Sequence, residues 1–318
     1  MKQYFFFFLF FFFLISSCKK EQIEILTQEI HSHTSHSLTD IFFVNDSIGY
    51  ACGGNKYTIG LLLKTFDGGQ TWNQPDSIIP KVANAQYFFN ATEGFVAGYD
   101  TWLAQTVDSA KTFSASPSYN WETQDIYFGD REHGVRVNGS GYNEGKIMST
   151  ADGGASWAIV ATLPNSLHCV TYSDHNTAFV GGYGVIYKST DAGQTFYPLD
   201  VQGDFFVATD FPSASVGYFA GYQGMILKTI DAGNSFSKVM RENIAFAKRE
   251  HFEALDFWDE SNGFVVGDAG VMYQTTDGGE NWKKIKPFTE LNLRDIHLFS
   301  ATSGIVVGDE GKVFLFRN

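Results

Sequence analysis

The chain has 318 residues and a net charge of −13, with 22 basic and 35 acidic side chains. The few arginines are scattered, and a nucleic-acid partner needs a basic face, so the composition argues against nucleic-acid binding. Hydrophobic residues make up 44% of the chain and aromatic residues 16%, and there are 32 glycines. Such a composition suits a large β-sheet core with tight turns.

The N-terminal segment has the features of an export signal. Lys2 precedes an apolar run rich in Phe and Leu, which is too short to span a bilayer and ends at Leu14-Ile15-Ser16-Ser17-Cys18. Small residues before a Cys in this place resemble a bacterial lipobox. We therefore expect residues 1–17 to be a lipoprotein signal peptide and Cys18 to be acylated, with an ordinary cleaved signal peptide as the alternative.

The location that follows is the bacterial cell envelope, with several acyl chains holding the protein on the bilayer. Lys19 follows Cys18. By resemblance to other lipoproteins, a residue other than Asp at that place favours the outer membrane. The sequence leaves open whether the protein faces the periplasm or the cell surface.

Residues 18–36 are expected to hold the anchor, a closing strand and a linker. Residues 22–27 have strand character but belong to no repeat. His31, His33 and His36 could bind a metal or belong to a solvated linker. Their spacing matches no closed zinc site and no acidic or Cys partner is nearby, so we predict no metal and no cofactor.

Residues 37–318 repeat with a period near 40. Each of six copies has Thr or Ser, any residue, Asp, usually Gly, then a small polar residue and an aromatic one. The aspartates of these copies are Asp67, Asp108, Asp152, Asp191, Asp231 and Asp277. A period of this length with strand-like filling indicates a repeat architecture such as a β-propeller.

Each repeat contains short apolar strands bounded by Gly, Asp and Ser, and no sustained helical periodicity. Four strands per repeat and seven repeats predict an all-β, seven-bladed propeller of four-stranded antiparallel blades. The last repeat lacks its Asp motif and its fourth strand. We expect the N-terminal strand to supply that outer strand and so to close the ring, which leaves no open sheet edge.

One position of the first strand carries a large apolar residue in every repeat, as a shared core position between blades requires. These residues are Phe43, Phe88, Phe128, Tyr172, Phe211, Phe257 and Leu298.

The Asp motif predicts a turn. An Asp side chain can accept hydrogen bonds from the backbone of its own turn, and the following glycines suit positive φ. Six equivalent copies cannot form one active site, so we assign these aspartates a structural role and predict no catalytic residue. Ala110 replaces the expected Gly, which predicts a strained or altered turn in the second repeat.

Directly before the core position, or three residues before it, the first strands carry polar groups. Asp210, Asp256 and His297 occupy one position in the last three repeats, and Asp295 lies two residues before His297. If the first strand is innermost, these four residues form a candidate ligand site in the axial channel. The alternative is that their polar groups are satisfied by neighbouring blades or by water.

The longest interval between repeats contains residues 240–250, which mix charged and apolar side chains. This segment is either a surface loop that contacts a partner or a loop packed on its own blade.

The repeat unit, for example Gly94-Phe95-Val96-Ala97-Gly98 followed by Thr106 and Asp108, resembles the BNR or Asp-box repeat. The chain after its leader is similar to seven-bladed propellers of the photosystem II stability and assembly factor family. In phototrophs, members of that family are lumenal proteins that help to assemble a reaction-centre subunit, and many relatives in other bacteria are exported.

The resemblance implies a non-catalytic propeller that binds or assembles envelope or membrane proteins. The alternative is a glycan-binding protein or a divergent Asp-box glycosidase. A sialidase needs three arginines around the substrate carboxylate, and no Arg occurs before Arg131. A glycan site predicts exposed aromatics beside paired carboxylates, whereas protein docking predicts apolar anchors with a polar rim.

Overall fold

The computed structural model describes residues 22–55, 59–75, 79, 81–115, 122–140, 144–201, 203–240 and 250–318. The predicted signal peptide, Cys18 and most of the loop at residues 240–250 lie outside these ranges. Within them, no helix has the length and hydropathy needed to cross a bilayer. Helical structure there consists of single 3-10 turns at Tyr99–Thr101, Asp268–Gly270 and Asp309–Gly311.

The strands of the described chain follow one another in short antiparallel meanders. In chain order they are β1 (Leu26–Ile30), β2 (Leu38–Phe43), β3 (Gly49–Asn55), β4 (Ile59–Thr65), β5 (Ala83–Phe88), β6 (Gly94–Gly98), β7 (Leu103–Thr106), β8 (Ser114–Ala115), β9 (Thr123–Phe128), β10 (Gly134–Ser140), β11 (Glu144–Thr150), β12 (Ala158–Leu163), β13 (Leu167–Tyr172), β14 (Ala178–Gly182), β15 (Val185–Ser189), β16 (Tyr197–Pro198), β17 (Phe206–Asp210), β18 (Gly217–Gly221), β19 (Ile226–Thr229), β20 (Ser237–Met240), β21 (Phe252–Phe257), β22 (Gly263–Gly267), β23 (Met272–Thr275), β24 (Lys283–Lys284), β25 (Leu293–Ser300), β26 (Ser303–Gly308) and β27 (Val313–Arg317).

These strands form seven antiparallel sheets, and the predicted all-β, seven-bladed propeller is confirmed. In blades 1 to 6 the first strand is innermost and the last lies nearest the rim, and in blade 7 β25 is innermost and β1 is at the rim. Blade 1 comprises β2, β3 and β4, and its outer edge is made by two isolated bridges, from Asn73 to Lys64 and from Ile79 to Gly60. Blades 2 to 6 take four consecutive strands each, from β5 to β24, and blade 7 has the order β1-β27-β26-β25.

The N-terminal strand closes the ring, as predicted. β1 pairs antiparallel with β27, from Leu26 opposite Arg317 to Ile30 opposite Val313. The predicted strand at residues 22–27 is shifted, because Ile23 pairs instead with Ile285 at the edge of blade 6. Ile23 packs there against the apolar cluster between blades 6 and 7, so the segment before β1 joins both blades.

The large residue at the predicted core position accounts for the glycine that begins the second strand of the repeat. The Phe88 ring stacks on the Tyr50 ring of blade 1 with centroids 3.6 Å apart, and Phe257 stacks on Tyr218 in the same way at 3.7 Å. The Phe88 ring also covers Gly94, the first residue of β6. A Cβ on Gly94 would lie 2.4 Å from the Phe88 ring. Only glycine leaves room for the ring at that place.

Each Asp motif forms a turn at the end of the third strand. In blade 1, Asp67 Oδ1 accepts the Thr71 N–H at 2.9 Å and Asp67 Oδ2 accepts the Thr71 hydroxyl at 2.7 Å. The Thr65 hydroxyl accepts the Gly69 N–H at 3.0 Å, and the Trp72 indole donates to the Gly69 carbonyl at 3.0 Å. In the other five turns, the Asp carboxylate also accepts the N–H of the residue four positions later. These aspartates are Asp108, Asp152, Asp191, Asp231 and Asp277.

These bonds stabilise the charged form of the aspartates. The hydroxyl and N–H of Ser156 lower the pKa of Asp152 to about 2, and those of Ser235 do the same for Asp231. The turn of blade 2 keeps the shared geometry, so the expected alteration there is wrong. The strain remains, because Ala110 has a φ of 65°, a region that costs a residue with a Cβ about 1–2 kcal/mol.

Candidate functional site

The axial channel is lined by the innermost strands, and it widens into a cavity at the face opposite the Asp-motif turns. This mouth cavity has a volume of about 390 Å³ and receives side chains from the first strand of every blade. Its charged lining includes Asp40, Asp125, Glu253, Arg294 and Asp295.

Carboxylates on the innermost strands accept main-chain N–H groups from the next blade. Each uses its Oδ2 atom, and the five bonds are Asp40 to Gln86 at 2.6 Å, Asp125 to Val170 at 2.8 Å, Asp295 to Ile41 at 2.7 Å, Asp210 to Phe257 at 2.9 Å, and Asp256 to Leu298 at 2.7 Å. A buried N–H without an acceptor is costly, so these carboxylates join neighbouring blades around the ring.

The predicted channel site is divided between two depths. Asp295 lines the mouth cavity, whereas Asp210, Asp256 and His297 lie two residues further along their strands. His297 Nδ1 is 3.8 Å from Asp256 Oδ2, and its ring stacks on Phe43 with centroids 4.9 Å apart. These contacts give the predicted ligand residues roles in holding the blades together.

Burial disfavours charge on these groups. It raises the pKa of Asp125 to about 7 and those of Asp210 and Asp295 to about 6. Burial, followed by the charge of Asp210, raises the pKa of Asp256 well above its usual range, and burial lowers the pKa of His297 to about 4. Burial therefore keeps these carboxyl groups protonated to a higher pH than exposed aspartates.

A second cavity of about 570 Å³ opens beside the mouth, across blades 4, 5 and 6. We call it the aromatic pocket, and its lining residues are His168, Tyr183, Phe205, Val207, Tyr222, Gln223, His251 and Glu253. Its side chains form two aromatic walls. Phe205 contacts Tyr183 and His168 edge-on, with centroids 5.9 and 5.1 Å apart, and Tyr222 packs against His251 at 4.2 Å.

The loops that carry these rings are fixed by one carboxylate. Asp204 is buried, and its Oδ1 accepts the N–H groups of Phe205 at 2.7 Å and Gln223 at 2.9 Å. Its Oδ2 accepts the N–H of Met225 at 3.3 Å, and the main chain adds a bond from Tyr222 N–H to the Phe205 carbonyl at 2.8 Å. The pocket is thus shaped before any ligand enters.

The floor between the pocket and the channel mouth carries an ionic network. Arg294 donates to Asp309 through Nε at 2.9 Å and Nη2 at 3.1 Å, and to Glu253 through Nη1 at 3.1 Å. Asp268 is 3.2 Å from His251 and also interacts with Glu253. Burial raises the pKa of Glu253 to about 7 against the opposing effect of Arg294.

The sequence reasoning missed this pocket. Two of its rings follow the glycine that ends a second strand, as Gly182-Tyr183 and Gly221-Tyr222, and Gly98-Tyr99 repeats the pattern in blade 2. This recurring Gly-Tyr pair was the sequence feature that could have indicated the pocket. Within the described residues, no group of three or more His, Cys, Asp or Glu side chains is placed to hold a metal ion, the linker histidines included.

The repeats that build this face also match a known protein family. A profile described as "Photosynthesis system II assembly factor YCF48" matches residues 19–120 and 197–292, which is more than half of the chain. The chain belongs to the YCF48 assembly factor family. No curated protein sequence matches it.

Solved structures of YCF48 have the same fold at low sequence identity. A structure titled "YCF48 bound to D1 peptide" is 17% identical with a TM-score of 0.72, covering 94% of this chain and 98% of that one. YCF48 from Cyanidioschyzon merolae is 18% identical with a TM-score of 0.69, covering 92% and 98%. The seven-bladed architecture is therefore shared along almost the whole length of both.

A glycoside hydrolase has a similar propeller but a longer chain. The GH74 xyloglucanase from Xanthomonas campestris is 13% identical with a TM-score of 0.67, and the match covers 91% of this chain and 53% of the enzyme. The chain spans about half of that enzyme, so the likeness concerns the fold.

Proposed function

We propose that this YCF48-family propeller is a non-catalytic scaffold that binds a segment of a partner protein at the aromatic pocket. One observation carries the proposal: Tyr183, Phe205 and Tyr222 line an open cavity whose loops are held by Asp204. Exposed aromatic anchors on a pre-formed surface are typical of protein-binding sites.

The family supports this function. One solved YCF48 is in complex with a D1 peptide, and from that complex we carry over only the general property of binding a peptide segment. The pocket suits that property, because it lies beside the channel mouth and shares His168, Val207 and Glu253 with the 390 Å³ cavity.

The proposal places the propeller in the bacterial envelope, tethered to the outer membrane through acylated Cys18. β1 begins at Leu26, so only a short segment separates the proposed anchor from the rim of blade 7. Incorporation of labelled palmitate into the wild-type protein, with loss of label and of membrane association in Cys18→Ser, is the expected result. Equal labelling of both proteins would refute the anchor.

Site-specific photocrosslinking tests the binding face. Tyr183 and Tyr197 are both 45% exposed, but Tyr183 lies at the pocket and Tyr197 on the outer strand β16. With p-benzoylphenylalanine at position 183, we expect one discrete adduct in membranes, which excess unmodified protein abolishes. The same label at position 197 serves as the control, and equal adducts at both positions would refute binding at the pocket.

Glycan binding is the second candidate, since the aromatic rings beside Glu253 could stack on a sugar face. A glycan array distinguishes the two functions. Saturable binding of one glycan that Tyr183→Ser abolishes, together with no protein adduct at position 183, would replace the scaffold with a lectin.

A further inference from the structure

We propose that the aromatic pocket selects a Lys or Arg side chain of the partner segment. This inference rests on the proposed function and specifies the chemistry of that same site. It follows from how the aromatic rings, the carboxylates and the single arginine are placed around the pocket.

The rings form two walls that suit a long cationic side chain. Tyr183, Phe205 and His168 come from blades 4 and 5, and Tyr222 and His251 come from blades 5 and 6. A cation over an aromatic ring is attracted by the negative face of the ring. The aliphatic stem of Lys or Arg would pack between the walls while its charged end reaches the floor.

The floor has an excess of negative groups. Glu253 lines both cavities. Two further carboxyl groups, Asp268 and Asp309, interact with it, and Arg294 supplies the guanidinium group of this network. All three donor positions of Arg294 that have partners point to Asp309 or Glu253. Burial raises the pKa of Glu253 to about 7, so a cation that enters the pocket would favour the ionised form of this carboxyl group.

An anionic partner group fits less well. Arg294 is already engaged by two carboxylates, and burial lowers the pKa of His168, so its ring does not supply a positive charge at neutral pH. The whole chain carries −13, which favours the approach of a cationic segment at low ionic strength. Complementary charge thus points to one kind of occupant.

Phage-displayed random 12-residue peptides provide the probe. Selection is done on the wild-type propeller, and bound peptides are recovered by competition with free protein. We expect a Lys or Arg at one shared position. Its replacement by norleucine, which keeps the aliphatic stem, should weaken binding at least tenfold in fluorescence polarisation.

Variants assign that effect to the pocket. Glu253→Gln should reduce the Lys-to-norleucine difference to less than threefold, Tyr183→Ser should weaken all peptides, and Tyr197→Ser should leave every affinity unchanged. Circular dichroism and thermal melting establish that each variant is folded.

The outcomes separate this inference from the proposed function. Peptides that depend on Tyr183 but tolerate norleucine would overturn cation selection and leave the scaffold intact. Peptides that bind equally to the wild type and to Tyr183→Ser, or the recovery of none, would overturn both.

Discussion

Asp125 of blade 3 holds the first strand of blade 4, because its Oδ2 atom accepts the Val170 N–H at 2.8 Å. The same carboxylate accepts its own strand's Ile126 N–H through Oδ1 at 2.7 Å. One side chain therefore satisfies a donor from each of two blades. The other innermost aspartates repeat this inter-blade bond, which makes the channel lining part of the ring's mechanical structure.

These carboxylates predict that acid stabilises the fold. Burial raises the pKa of Asp125 to about 7 and those of Asp210 and Asp295 to about 6, whereas an unfolded Asp titrates near 3.9. The folded state binds more protons between these values, so the contribution is full below about pH 4 and is lost as the pH rises through about 6 to 7. We expect the Tm to fall by about 3–8 °C from pH 5 to pH 7.5.

The aspartates of the turns act in the opposite direction but at lower pH, because their pKa values are lowered to about 2 at Asp152 and Asp231. His297, whose pKa burial lowers to about 4, also acts in the opposite direction, between about pH 4 and 6.5, and this one group reduces but does not reverse the expected fall in Tm. Asp125→Asn keeps an acceptor for Val170 and should flatten the pH profile of Tm, whereas Asp200→Asn, at an exposed position, should leave it unchanged. A wild-type Tm that rises from pH 5 to pH 7.5 would contradict the argument.

The hydroxyl of Thr229 is predicted to be essential to its turn. It is buried, accepts the Gly233 N–H at 2.8 Å and donates to Asp231 at 2.8 Å. Thr229→Val keeps the shape but leaves that N–H unpaired, which should lower the free energy of unfolding by about 1–3 kcal/mol in urea titrations. Thr190→Val, at an exposed position of the equivalent turn, is the control, and equal effects would disprove the role of the hydroxyl.

Gly94 and Phe88 are predicted to be energetically coupled. A Cβ at position 94 would lie 2.4 Å from the Phe88 ring, so Gly94→Ala should destabilise the fold by about 1–3 kcal/mol. Phe88→Leu removes the ring, and in a double-mutant cycle the two losses should sum to more than the loss in the double variant. Simple additivity of the unfolding free energies would rule out the steric explanation.

Lys188 is predicted to tie blade 4 to the turn of blade 5. Its Nζ donates to the Ala232 carbonyl at 2.7 Å, and its side chain is buried over the Phe179 ring. Lys188→Met keeps most of the aliphatic volume but leaves the carbonyl without this donor, at a cost of about 1.5–3 kcal/mol. The exposed Lys238→Met should change little, and a difference in Tm between the two variants of less than about 1 °C would refute the contact.

The fold was predictable because the side chains that form the turn and the core position recur in the sequence of each repeat. Phe88 recurs as a large apolar residue in every copy, and the Asp motif recurs in six. The sequence does not decide whether Asp210 and Asp256 bind a ligand or a neighbouring blade, because their partners are main-chain N–H groups, which almost any residue supplies.

The aromatic pocket could not be assembled from the repeat pattern. Tyr183 and Phe205 belong to different blades and lie in connections whose lengths differ between repeats. Asp204, which fixes these connections, occupies a position outside the motifs that recur. Proximity of such residues is set by the closed ring and not by local pattern.

The position of β27 between β26 and β1 has a consequence for the order of folding. The first strand of the described chain finds its partner only after the last one has been synthesised, so this contact has nearly the greatest sequence separation that the chain allows. Contacts of that kind form slowly, and until then an unpaired strand edge is open to other chains. Until β27 is available to β1, blade 7 is incomplete and the ring of blades stays open.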